Sequence, residues 1–386
     1  MLTFADNAWH VTSNAAVFFL GLWLVIAQYN IFRVPPRIAF LLYLWHTFFC
    51  LFYFNYSLNN PADATYYYLM SLHYEAEYDY KTGVVFFTSL LSQGLSLSYG
   101  GAFLVFNVIG FIGLLAFSSA MLHVTRDVPV RFRRLAIAII LLPGLSFWSV
   151  AIGKDALVFM GAGLAVWAAM DIRRRYLAVL ISVLMFLMAR PHMAAILLSS
   201  FAFALVFSSR IGFVKKWMLV SVLVPLSFLV ISLGLEFVGF HDTPEFGDVV
   251  EYVESRQAVN VGGGTSVDIQ GMSIPERLFT YLFRPLFFDA SGVFGLVVSL
   301  ENLVILSLAI VVITLVIRGR RSRLDTFSWV FFVIFVSASW FLLANVTANL
   351  GIALRQQWMF LPMLLILFMS YLGRPSRVRR FSGKPR

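Results

Sequence analysis

Residues 176–209 read YLAVLISVLMFLMARPHMAAILLSSFAFALVFSS, with Arg190 the one formally charged residue in the run. As a single helix this stretch would be about 50 Å long at about 1.5 Å per residue, against a hydrocarbon core of about 30 Å. It must therefore turn, and Arg190-Pro191-His192 is where proline fixes the backbone and removes a donor. Arg173, Arg174 and Arg175 precede the run, and Arg210, Lys215 and Lys216 follow it. The arms thus form a hairpin whose two basic ends share one side of a membrane.

The same reading extends outward along the chain. Apolar runs lie near 14–32, 38–56, 99–122, 135–151, 156–171, 176–190, 194–209, 217–238, 292–317, 326–345 and 357–372. Threaded back and forth, these eleven expected spans leave 22 of the 29 Lys and Arg on one face with three acids (Asp127, Asp171, Asp325), a net of +19. The opposite face carries 7 bases and 16 acids, a net of −9. Cytoplasmic loops hold the Lys/Arg excess, so the basic face is expected inside. The expectation is an all-α polytopic membrane protein with its N-terminus outside and its C-terminus cytoplasmic.

Composition agrees with that class. Hydrophobic residues make up 60% and charged residues 12%, with a mean hydropathy of +0.84. A soluble domain holds about 45–50% apolar and about 25% charged residues. The bases are scattered over short loops and a tail, which excludes a nucleic-acid stripe and suits contact with membrane lipid. Cys50 is the sole cysteine, so there is no internal disulfide and no cysteine-based metal site. The first ten residues carry Asp6 and no base, so the first apolar run reads as a retained span. Residues 1–373 read as one helical membrane domain with extracytoplasmic loops 57–98 and 239–291, and 374–386 as a basic cytoplasmic tail. Within the first loop, 84–97 is a marginal apolar piece suited to an interfacial or re-entrant helix.

Placing the spans also sorts the unusual polar residues to one extracytoplasmic level. Asp63 follows the second span, Lys154 and Asp155 tip the hairpin between the fourth and fifth, and Arg190 and His192 tip the next. Arg284 and Asp289 precede the ninth span, Glu301 lies inside it, and Arg355 with Gln356 opens the last. Charges at or within hydrocarbon are costly and usually face a cavity or a partner. Four cations (Lys154, Arg190, Arg284, Arg355) in one layer with carboxylates suit an anionic, lipid-linked substrate: Arg and Lys give charge-assisted bonds to a diphosphate and stabilise it as it departs. A carboxylate there is suited to deprotonate a sugar hydroxyl.

The individual stretches carry different readings. In NNPADATYYYLM (59–70), Asp63 is either that base or the N-cap of a helix, and Tyr66, Tyr67 and Tyr68 either stack on sugar rings or mark the interface. In PGLSFWSVAIGKDALVF (143–159), Pro143 and Gly144 interrupt a span as beside a cavity, and Lys154 with Asp155 either serve the site or pair with each other. His192 is a proton shuttle, a phosphate contact or a packing residue. Arg284 and Arg355 have the planar fork that matches a diphosphate, or else anchor at the interface. HYEAEYD (73–79) has the alternation of a divalent-ion loop, yet reads first as a solvated acidic loop, so no metal and no other cofactor is assigned. Gly262 to Gly264 lack the Lys-Ser/Thr of a phosphate loop and read as a hinge.

With these stretches in view, the chain resembles the O-antigen polymerases (Wzy-like) and EpsG-like membrane proteins of bacterial surface-polysaccharide assembly, which share features with GT-C glycosyltransferases. The resemblance is carried by Asp63-Ala64 with its tyrosines, FWSVAIGKDAL (147–157), ARPH (189–192), FRPLFFDA (283–290) followed by Glu301, and the stretch from Asn349 to Arg355. It implies transfer of a saccharide from a polyprenyl (di)phosphate carrier outside the membrane, in company with other polysaccharide-assembly proteins. It points to Asp63 as the functional acid and to Arg190, Arg284 and Arg355 as functional arginines. The chain has no paired Asp-Asp or Asp-x-Asp at that position and no large soluble C-terminal domain, both of which set it apart from GT-C enzymes.

The expected roles are then Asp63, Arg190 and Arg355 as catalytic groups. Lys154, Asp155, His192, Arg284, Asp289, Glu301, Tyr67 and Gln356 are expected to bind or orient the substrate. Two rival functions share the same cations: a GT-C-type transferase adding a single sugar, and a flippase or transporter of lipid-linked saccharide.

Overall fold

The computed structural model describes residues 2–74, 83–207, 212–238, 267, 269, 271–290 and 292–373, with no side-chain description for 231–238. The chain folds into helices α1 (Ala8–Ala27), α2 (Pro36–Asn59), α3 (Asp63–Leu72), α4 (Gly83–Ser89), α5 (Tyr99–Val124), α6 (Val130–Ile140), α7 (Pro143–Ser149) and α8 (Lys154–Ala169). These are followed by α9 (Tyr176–Ala189), α10 (Pro191–Val206), α11 (Phe213–Val238), α12 (Ile274–Phe283), α13 (Gly292–Ile317), α14 (Thr326–Val346), α15 (Leu350–Gln357) and α16 (Leu361–Tyr371). No β-sheet forms among the described residues. The acidic HYEAEYD stretch beyond Tyr74, the glycines at 262–264 and the basic tail from 374 lie outside the described residues.

Among the described residues, six helices are long and apolar enough to cross a membrane: α1, α2, α5, α11, α13 and α14. A seventh crossing results if α15 and α16, bent by 64°, act as one span. This is the architecture of a multi-pass membrane protein. The other expected spans are not single helices of that length, and the reason is local. The expected span at 135–151 is broken between α6 and α7, where Pro143 opens the second piece. Helices α8, α9 and α10 have 16, 14 and 16 residues, below the length that crosses the hydrocarbon unaided. The turn expected in 176–209 is present at Arg190, which closes α9, with Pro191 opening α10. The marginal apolar piece is also helical, α4 running on through a π-helical turn at Leu90–Gly94.

Helix α5 is the centre of the bundle, buried on nearly all sides by α1, α2 and α8. It begins at Ser98, whose hydroxyl accepts the Gly101 N–H and satisfies one of the free donors of a helix start. Its contact with α8 is backbone against backbone. A Cβ built on Gly113 would lie 2.6 Å from Met160 Cα, and one built on Gly163 would collide with the Gly113 carbonyl oxygen. Small residues at membrane helix crossings act in this way, exchanging side-chain volume for close approach. On the other flank of α8, the Ser182 hydroxyl of α9 donates to the Gly161 carbonyl at 2.7 Å. Helix α10 packs on α14 through Phe201 and Phe331, stacked with centroids 4.1 Å apart. This close-packed centre fixes the ends of α2, α8, α9 and α15, where the polar residues gather.

Candidate active site

Each element that supplies the site is held by contacts away from it. Helix α3 follows α2 after Asn60 and Pro61, and is pinned by Thr65, whose hydroxyl donates to the Ser57 carbonyl and meets the Tyr99 hydroxyl at 3.2 Å. The Tyr68 hydroxyl donates to the Leu97 carbonyl, fixing the same helix against the start of α5. Asp63 is the first residue of α3 and its side chain does not cap the helix; the capping position is Ala62. The carboxylate is therefore free of the local role that the sequence also allowed.

Asp63 meets the guanidinium of Arg355, 292 residues away in the chain. Arg355 stands in the last turn of α15, a helix started by Asn349, whose side-chain oxygen accepts the N–H groups of Gly351 and Ile352. From Arg355 the chain of charges runs inward: its Nε lies 3.2 Å from Oδ2 of Asp155, and Oδ1 of Asp155 lies 3.6 Å from Nη2 of Arg190. Arg190 is held extended because the residue before a proline is kept out of the helical region. Its own N–H closes α9 by donating to the Phe186 carbonyl. The result is a linear relay, Asp63–Arg355–Asp155–Arg190, assembled from α3, α15, α8 and the α9–α10 turn.

Exposure falls along this relay. The Asp63 side chain is 55% exposed and Arg355 25%, whereas Asp155 and Arg190 are 17% and 14% exposed. The inner pairs are thus largely desolvated, so removal of one member leaves its partner in a poorly solvating place. Three polar atoms of the relay have no hydrogen bond: Asp155 Oδ1, Arg190 Nε and Arg355 Nε. Buried polar atoms are nearly always satisfied, and exceptions mark a site of function or stored cost. Lys154 lines the same cleft and has no ion-pair partner among the described residues. Three cations against two carboxylates leave the cleft a net positive charge.

Aromatic walls complete it. Tyr53, Tyr67 and Trp148 line the cleft beside the charges. Of the three consecutive tyrosines only Tyr67 faces it, since Tyr66 is exposed and Tyr68 is turned to Leu97. Burial, reinforced by the charge of Asp63, pushes the Tyr67 phenol well above its ordinary value, so it serves as a hydrogen-bond donor and not as a base. The free volume of the cleft is about 30 Å3. That is room for ordered water and far too little for a sugar, so the relay fills its own cleft.

The other expected site residues lie elsewhere. Arg284 pairs with Asp289 through two hydrogen bonds of 2.9 and 2.6 Å, and Asp289 also accepts the Leu286 N–H. The pair closes its own loop and does not line the cleft. Glu301 is buried in α13 and accepts the Gly144 N–H at 2.7 Å, bracing the start of α7, the helix that carries Trp148. Gln356 accepts a hydrogen bond from Thr347 at 2.9 Å. His192 is exposed and outside the cleft lining. Tyr53 and Trp148 were not foreseen. Trp148 stands in the very stretch that carries Lys154 and Asp155, whereas Tyr53 sits in an apolar span with no local mark.

No group of three His, Cys, Asp or Glu able to hold a metal forms among the described residues, and Arg355 stands between the two carboxylates of the relay. The Arg284–Asp289 pair has its own signature. The hydrogen bonds from Arg284 hold the Asp289 carboxyl below the usual carboxylate range, and Asp289 raises Arg284. Stability from Asp289 is then present above the ordinary carboxylate pKa and is lost as pH falls through its lowered folded value. Asp289→Ala is expected to lower stability by about 1–3 kcal/mol, measured by thermal unfolding in detergent at neutral pH, with the difference from wild type shrinking as pH falls through the lowered value. An unchanged melting temperature at neutral pH would remove this structural role.

Comparison with protein-family models, with curated proteins and with solved structures finds no match for this chain.

Proposed function

We propose that this chain is a surface-polysaccharide polymerase, or a related glycosyltransferase, acting on a polyprenyl-diphosphate-linked saccharide at the extracytoplasmic face of a bacterial inner membrane. The observation that supports this reading best is the convergence of Asp63, Lys154, Asp155, Arg190 and Arg355 on one cleft with a net positive charge. Packing ion pairs so deep has a cost that structure alone does not require, since apolar residues of similar volume would stabilise a bundle as well or better. Tyr67 and Trp148 add aromatic faces to the cleft wall, against which a sugar ring can stack once the substrate has parted the relay.

The proposed orientation places this cleft outside, opposite the loops rich in Lys and Arg. In it, eleven crossings arise if the broken pair α6–α7, the short helices α8, α9 and α10, and the bent pair α15–α16 each traverse within the bundle. The burial of α8 and α10 supports this for those two helices, because a span shielded by protein tolerates a shorter apolar length.

The chemistry follows from competition for Arg355. A diphosphate approaching the cleft draws Arg355 and Arg190 to its oxygens, with Lys154 as a third cation. Arg355 then releases Asp63, whose carboxylate accepts the proton of the acceptor hydroxyl. The hydroxyl oxygen attacks the anomeric carbon, the bond from that carbon to the carrier phosphate breaks, and its electron pair leaves on the diphosphate. Charge on the departing group grows in this step, so cations aimed at it lower the barrier. Asp155 keeps both guanidinium groups oriented throughout.

Arg190→Ala tests the reading in the native host and with purified protein given a synthetic lipid-linked repeat unit. Lengthened product is expected to fall about tenfold or more, with Arg190→Lys intermediate because the fork is lost and the charge kept. Normal product length and yield at normal protein level would take Arg190 out of the mechanism. A wild-type protein that moves the lipid-linked unit across a vesicle membrane without lengthening it would favour the transporter instead.

A further inference from the structure

A second and larger cavity, of about 700 Å3, lies away from this chemistry, between α9, α10 and α11. Its walls are apolar, with Val179 and Leu180 of α9 facing Leu219 and Leu223 of α11 across a floor of Leu198 and Phe201 from α10. Two cations, Arg173 and Lys215, stand among its lining residues. Both precede or open their helices, α9 and α11, so they occupy one end of the groove.

The bases around that end are divided in their work. Of the three consecutive arginines, Arg175 donates to the Trp167 carbonyl and lies over the Trp167 ring, and Arg174 stands 4.0 Å from Asp171. Arg173 alone of the three lines the groove. Across the groove, Lys216 donates to the Val206 carbonyl at 2.8 Å, while Lys215 lines it. Neither Arg173 nor Lys215 has an ion-pair partner among the described residues. Helix α9 also starts without a side-chain cap, leaving its first N–H groups at the same end.

We propose that this groove is a binding site for one anionic glycerophospholipid, with an acyl chain along the apolar walls and the phosphate between Arg173 and Lys215. Two unpaired cations on opposite rims match a single headgroup phosphate, and the apolar length behind them matches hydrocarbon. A zwitterionic lipid fills the walls equally well and gains less at the rim, because its own cation opposes Arg173 and Lys215.

The test is native mass spectrometry of the delipidated full chain in detergent, titrated with phosphatidylglycerol and with phosphatidylcholine of the same acyl chains. Wild type is expected to retain one phosphatidylglycerol about tenfold or more tightly than phosphatidylcholine. Arg173→Gln combined with Lys215→Gln is expected to bring the two lipids within about threefold, and each single change to fall between. Leu180→Trp, which fills the groove, is expected to weaken both lipids alike. Equal binding of the two lipids by wild type overturns the proposal. So does a preference that survives the double change, or one that Arg133→Gln, a base outside the groove, removes as completely. None of these readouts depends on glycosyl transfer, so the site stands or falls apart from the function proposed above.

Discussion

Arg355→Ala is expected to reduce transfer from a polyprenyl-diphosphate donor by about 100-fold or more, the largest effect of any single change in the cleft. Among the described residues, Arg355 is the one that pairs with both carboxylates, Asp63 at the mouth and Asp155 within. Its removal takes away a ligand for the leaving diphosphate and also cancels the net positive charge, leaving Lys154 and Arg190 against Asp63 and Asp155. The two losses separate by a conservative substitution. If Arg355 only neutralised the acids, Arg355→Lys would keep folded protein and activity together. Since the proposed role includes bidentate contact with phosphate, Arg355→Lys is expected to keep the melting temperature while transfer falls. Product ladders from a synthetic lipid-linked repeat unit, beside thermal unfolding of the same samples, read both. Turnover of Arg355→Ala within threefold of wild type would end the proposed role.

Gly163→Leu is expected to have the largest effect on folding. Any Cβ at this position meets the carbonyl of Gly113, a backbone atom that cannot swing aside, and Gly113 in turn lies against Met160. Helices α5 and α8 must then separate along the best-buried contact of the bundle. Overpacking of a tight core costs about 1–3 kcal/mol, and a backbone clash falls at the upper end or beyond. Gly163→Ala is expected to lower the melting temperature measurably, and Gly163→Leu to remove most monodisperse protein after extraction in mild detergent. The consequence reaches the cleft, since Lys154 and Asp155 begin the displaced helix. A Gly163→Leu protein with wild-type yield and melting temperature would show that the two backbones are not in contact.

Much of the helical pattern is written in local chemistry. Apolar runs too long for one span, with Arg190-Pro191 in the middle, force a turn, and the helices break there. Pro143 and Gly144 mark the break before α7 in the same way. The number of full crossings was less legible, because hydropathy measures how apolar a run is and not whether protein or lipid surrounds it. Helix α8 is buried on nearly every side at 16 residues, a length that in isolation signals no span.

The sequence by itself led to the expectation that these polar residues stand at helix ends, and they do. Counting along apolar runs and following the bases assigns Asp63, Lys154, Arg190, Arg284 and Arg355 to helix ends of one side, because each span converts residue number into distance along the bundle axis. It has no term for position around that axis. Only the packing of α5 against α8 and of α10 against α14 decided that Asp155, beside Lys154 in the chain, faces Arg190 and Arg355. The same packing left Arg284 to Asp289 and Glu301 to the start of α7. Lateral placement depends on which side-chain surfaces interlock, a property of pairs of helices that neither member carries alone.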